Sequence, residues 1–91
     1  KNKCRSDNLA MGMIAQVEQD SLLVVRSDPA GGEVIGRAGP TSVVKVVDGP
    51  TCAGGALWWK VKVMDLDFVG WATENNLNAC AKDSECNLGP P

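Results

Sequence analysis

The chain has 91 residues, 44% of them hydrophobic and 22% charged, with a formal net charge of −2, three Trp, one Phe, no Tyr and no His. That size supports one domain around one core, and the composition is that of an ordinary globular chain. No basic stripe marks the sequence for nucleic acid or an anionic membrane surface. The longest apolar run, Leu22 to Val25, falls far short of the roughly 18 residues a membrane helix needs.

The chain opens Lys1-Asn2-Lys3 without an initiator Met and reads as a processed product or as a piece cut from a longer chain. Strand signals follow, rich in apolar and β-branched residues: Met13 to Glu18, Leu22 to Ser27, Glu33 to Arg37 and Val43 to Val47, then Leu57 to Met64 and Phe68 to Ala72. Between them stand the turn formers Asp28-Pro29-Ala30-Gly31-Gly32, Ala38-Gly39-Pro40-Thr41 and Asp48-Gly49-Pro50. Thr73 to Leu77 suits a single helical turn, since Thr caps and Glu follows. No segment keeps helical spacing over three turns, so the expected class is all-β, with five or six short antiparallel strands.

Four cysteines, Cys4, Cys52, Cys80 and Cys86, form an even set in a short chain, which favours disulfides and an oxidising, extracytoplasmic compartment. A four-thiolate zinc site would use close paired spacings, and only Cys80 and Cys86 are near each other.

Alternation along the fifth strand puts Trp59, Val61 and Val63 on one face and Trp58, Lys60 and Lys62 on the other. The lysine face is the wet one. Trp59 is therefore expected in the core and Trp58 half covered, where an aromatic ring beside a glycine loop offers a flat surface to a peptide or a sugar. The candidate binding residues are Trp58 with Lys60 and Lys62, and the loop from Asp28 and Pro29 to Gly32 as their rim. Arg26 reads as structural, donating to carbonyls of that loop. Trp71, after Gly70, reads as packing. Asp65 and Asp67 read as solvated hairpin-tip residues rather than calcium ligands, because the further oxygens of a calcium loop are missing.

Catalysis is not expected. Without His the chain lacks the commonest general base, the usual nucleophile triads and the usual catalytic zinc ligands. The remaining nucleophile candidate, Cys52, loses its thiolate in a bridge. No cofactor or metal is called for.

The order Val25-Arg26-Ser27-Asp28-Pro29, Val34-Ile35-Gly36, Trp58-Trp59-Lys60-Val61, Gly70-Trp71 resembles the bacterial Src-homology-3 family of extracytoplasmic domains over roughly Met13 to Leu77. Asp48-Gly49-Pro50-Thr51-Cys52-Ala53-Gly54-Gly55 is similar to the Gly-Pro-x-Cys-Ala-x-Gly loop of an exported subgroup. Val24 stands where the family usually has Asn, and Gly39-Pro40-Thr41 where it usually has Pro-Ala-Gly.

The resemblance implies a small, strongly bent SH3-like barrel, stapled by disulfides. It implies a Cys4 to Cys52 bridge, leaving Cys80 and Cys86 to close a tail loop; Cys52 with Cys80 stays open as the competing arrangement. The chain would then divide into an N-terminal segment, residues 1–12, tied by Cys4, a barrel over residues 13–77, and a cysteine-pinned tail, residues 78–91. The implied function is non-enzymatic recognition of peptidoglycan or a protein partner. The alternative is a structural or accessory subunit of an extracellular or membrane-associated assembly.

Overall fold

A computed structural model of the protein describes residues 9–80. Seven strands form one antiparallel sheet: β1 (Ile14–Val17), β2 (Leu23–Arg26), β3 (Val34–Ala38), β4 (Val43–Ala53), β5 (Ala56–Val63), β6 (Phe68–Thr73) and β7 (Leu77–Ala79). A single 3₁₀ turn, Glu74–Asn76, separates β6 from β7. All six segments read as strands from the sequence, and the helical turn, are present, and the all-β class holds among the described residues.

Three features depart from expectation. A seventh strand follows the 3₁₀ turn: Leu77, Asn78 and Ala79 pair with Val17, Gln16 and Ala15 of β1. The ladder runs β3-β2-β6-β5-β4-β1-β7 and is open, with β3 and β7 as its edges, where five or six strands of a barrel were expected. Finally, β4 does not stop at Val47. It continues through Asp48-Gly49-Pro50, across a cis Gly49–Pro50 peptide, to Ala53.

The reason lies in how the strand absorbs its turn formers. Register against β5 shifts between Val46 and Asp48 and again between Asp48 and Thr51. Such bulges leave residues unpaired, so Gly and Pro fit without breaking the ladder beyond them.

The core follows the period of two. Leu23 and Val25 of β2, Val44 and Val46 of β4, Val61 and Val63 of β5 and Ala72 of β6 are buried in one cluster with Ala15, Val17, Leu57, Trp59 and Leu77. Each fully buried valine contributes about 1.5 kcal/mol or more to folding. Two glycines let the strands meet closely. A Cβ on Gly70 would lie 2.5 Å from Val25 Cγ1 and 2.8 Å from the Arg26 carbonyl, and one on Gly36 would lie 2.5 Å from the Phe68 ring.

Neither Cys52 nor Cys80 is a free thiol. Cys4 and Cys86, and with them the expected pairings, lie outside the described residues, as do residues 1–8 of the N-terminal segment and 81–91 of the tail. No helix is long and apolar enough to cross a membrane among the described residues.

Candidate binding surface

The β4–β5 hairpin closes on Gly54 and Gly55, with φ of 60° and 79°. Two successive positive φ values are what a tight two-residue hairpin turn requires, and glycine adopts them without steric cost. Past this turn, the Trp58 side chain reaches back to the hairpin tip. Trp58 lies opposite Thr51 on β4 and Thr73 on β6, and its indole N–H donates to the Ala53 carbonyl at 2.9 Å.

Only 8% of Trp58 is exposed, which corrects the expectation of a half-covered ring. Alternation fixed its side of the sheet, away from the core cluster that holds Trp59, but could not show how far the ring is buried there.

The loop between β2 and β3 is drawn tight by its own main chain. Ser27 N–H donates to the Glu33 carbonyl at 2.8 Å, and Gly31 N–H to the Pro29 carbonyl at 2.6 Å. Ser27 Oγ accepts from Glu33 N–H at 3.2 Å. Arg26 Nη1 donates to the Gly32 carbonyl at 3.0 Å, the structural role anticipated for it. At Gly32 a Cβ would collide with the Asp28 backbone nitrogen, so only glycine closes this loop.

Asp28 is left exposed and Pro29 half-buried. The loop rests against the hairpin: Ala30 Cβ sits 3.2 Å from where a Cβ of Gly54 would be. The structure thus brings the Asp28 to Gly32 loop to the tip to which Trp58 is bonded.

Lys60 and Lys62 lie farther along β5, Lys62 about 13 Å from Trp58 at ordinary strand rise. Lys60 faces Asp48 and Trp71, and Lys62 faces Lys45 and Val69. Lys62 also pairs with Asp67 at 3.3 Å across the exposed β5–β6 turn.

Trp71 is half-buried on this wet face, flanked by Lys60 of β5 and Arg26 of β2. The reading of Trp71 as packing did not anticipate its place between two cations. The signal was present in Phe68-Val69-Gly70-Trp71-Ala72-Thr73, where alternation groups Val69, Trp71 and Thr73 on the outer side and Gly70 and Ala72 on the inner.

Under the core, Trp59 donates its indole N–H to Glu74 Oε1 at 2.8 Å, a buried bond that ties β5 to the 3₁₀ turn. Glu74 is 9% exposed. No group of three or more potential metal ligands occurs among the described residues. Comparison with protein-family models, with curated proteins and with solved structures found no match.

Proposed function

We propose that this chain is a non-enzymatic, extracytoplasmic binding module of the bacterial Src-homology-3 type, which recognises a cell-wall component or a protein partner. One observation carries the reading: two loops far apart in sequence, Asp28 to Gly32 and the Gly54-Gly55 tip, meet at Ala30 and Gly54, next to the Ala53 carbonyl to which Trp58 donates. Loops held in place by their own hydrogen bonds form a surface that binds without large ordering cost. Asp28 and Pro29 supply the rim, and Lys60 and Lys62 extend it along β5.

The burial pattern also supports a strongly bent, barrel-like sheet. Val25 and Val17 belong to strands separated by β6, β5 and β4, yet they are 0% and 1% exposed within one cluster. No helix covers that face among the described residues, so the sheet's own curvature is the simplest cover. The bridges in this reading are Cys4 with Cys52 and Cys80 with Cys86. Mass spectrometry of non-reduced peptides tests them, and a Cys52 to Cys80 peptide would replace them.

Retention on purified peptidoglycan tests the function. Intact protein is expected to be retained, and a double variant Asp28→Ala, Pro29→Ala to elute earlier; no retention of the intact protein would remove the wall reading. A second reading, an accessory subunit of a larger assembly, is favoured by the unpaired edge strand β3, where Val34 and Ile35 are 40% and 47% exposed. Light scattering distinguishes it, since a monomer at all concentrations speaks against self-assembly through this edge.

A further inference from the structure

The net charge of the chain conceals a segregation that only the strand register shows. Among the described residues there are five cationic side chains, Arg26, Arg37, Lys45, Lys60 and Lys62, and every one lies on the outer face of the sheet. Lys45 stands directly opposite Lys62 across β4 and β5. Lys60 and Arg26 flank Trp71 on either side. Arg37 lies opposite Val24, whose face Arg26 shares two residues on. The neighbours of these residues along each strand, among them Val25, Ala38, Val44, Val46, Val61 and Val63, belong to the core.

Two acids share the outer face, Asp48 opposite Lys60 and Asp67 paired with Lys62. The other described acids, Glu18, Asp20, Asp28, Glu33, Asp65 and Glu74, stand in loops, turns or the 3₁₀ turn. A strip with excess positive charge thus crosses β3, β2, β6, β5 and β4. Measured along the sheet it spans about 19 Å at ordinary strand spacing.

The strip is not purely cationic. Val34 and Val69 are 40% and 41% exposed on it, and the half-buried Trp71 lies between Arg26 and Lys60. A phosphodiester polymer rewards charge alone, with aromatic platforms for its bases. A polysaccharide needs stacked aromatic rings, and the strip has one. Alternating cations and apolar side chains match a partner that alternates in the same way.

We propose that this face binds an acidic, extended peptide segment of a partner protein, its carboxylates on Lys45, Lys60, Lys62 and Arg37 and its apolar side chains on Trp71, Val69 and Val34. This rests on the reading of the chain as a binding module and names the chemistry of its partner. A segment of roughly six to eight residues spans the strip at extended rise. The Lys62 to Asp67 pair does not stand in the way, because an exposed pair of this kind holds by no more than about 1 kcal/mol.

The test uses an alternating Glu-Val peptide of about eight residues, its Gln-Val counterpart, and a thymidine oligonucleotide of equal charge, each titrated into the intact protein by NMR. The Glu-Val peptide is expected to shift the amides of Lys45, Lys60, Lys62 and Trp71. Its affinity should fall as salt rises and by about tenfold or more in the variant Lys45→Gln, Lys60→Gln, Lys62→Gln. Retained dispersion in the variant's amide spectrum shows that it folds, and Lys45→Gln alone, at an exposed position, should weaken binding by a smaller factor.

The proposal is overturned if the Glu-Val peptide does not bind, if it binds no better than the Gln-Val peptide, if the triple variant binds it unchanged, or if the oligonucleotide binds more tightly. The peptidoglycan assay is a separate arm. Peptide binding without wall retention leaves this inference standing and removes only the wall reading; wall retention without peptide binding does the reverse.

Discussion

Trp58 and Trp59 are neighbours in the chain, both are buried, and both donate their indole N–H, yet they hold different things together. Trp59 points into the core and reaches Glu74, fifteen residues on in another element. Trp58 points to the other side and reaches Ala53, five residues back across the hairpin. One bond therefore spans the fold and the other closes a local turn. Loss of the first should be felt globally and loss of the second at the tip, a contrast that the following substitutions can break.

The largest effect is expected at Trp59. Trp59→Ala removes a buried ring and should cost about 3 to 5 kcal/mol, a large share of the stability of a small domain. Urea denaturation followed by circular dichroism measures it. Trp59→Phe keeps most of the apolar area but takes the indole donor from Glu74, at a cost of about 1 to 3 kcal/mol. If Trp59→Phe costs less than Trp58→Phe, the contrast between the two rings fails.

Next comes a pair of glycines, one on each side of the same comparison. Gly70→Ala presses a methyl into Val25 and the Arg26 carbonyl, so overpacking should cost about 1 to 3 kcal/mol. Gly55→Ala meets nothing within 4 Å but adopts a φ of 79° at the hairpin tip, for a cost of about 1 to 2 kcal/mol from backbone strain alone. The discriminating measurement is hydrogen exchange. Gly70→Ala should speed exchange throughout β2, β5 and β6, and Gly55→Ala only around residues 53–58.

Trp58→Phe should cost about 1 kcal/mol through the lost bond to Ala53, with faster exchange confined to the hairpin tip and the adjoining Asp28 to Gly32 loop. Uniform acceleration across the sheet would show that Trp58, like Trp59, supports the whole fold.

Much of the fold was legible because six segments between turn formers are rich in apolar and β-branched residues, and alternation along β5 assigned Trp59, Val61 and Val63 to the core correctly. What escaped had physical causes. Leu77-Asn78-Ala79 is too short to show a period and becomes a strand only because β1 offers it an edge. Asp48-Gly49-Pro50 carries strong turn chemistry, which two register shifts accommodate within β4.

The binding surface was less legible. The side of the sheet that Trp58 occupies was readable, but its burial and its bond to Ala53 depend on how the hairpin turn closes. The gathering of Arg26, Arg37, Lys45, Lys60 and Lys62 on one face depends on the pairing of five strands, which no composition or local pattern specifies.

The smallest expected effects lie on that outer face and ask what its charges do for the fold. Lys62 and Asp67 are 3.3 Å apart, but their side chains are 44% and 79% exposed, so Lys62→Ala should cost below about 1 kcal/mol. Asp67 also has a φ of 57° and gives its N–H to the Val63 carbonyl at 2.8 Å. Asp67→Ala and Asp67→Gly both delete the ion pair, but only Ala is penalised by the left-handed backbone. Asp67→Gly should therefore be the more stable of the two by about 1 kcal/mol, read as a shift in urea midpoint at unchanged slope. Equal stabilities would mean that the backbone term is negligible at this turn. The expected order would instead show that the turn is held by main-chain geometry, while Lys62→Ala reads what the lysine contributes to stability. Cations that the fold does not need are the ones a partner can engage without weakening it.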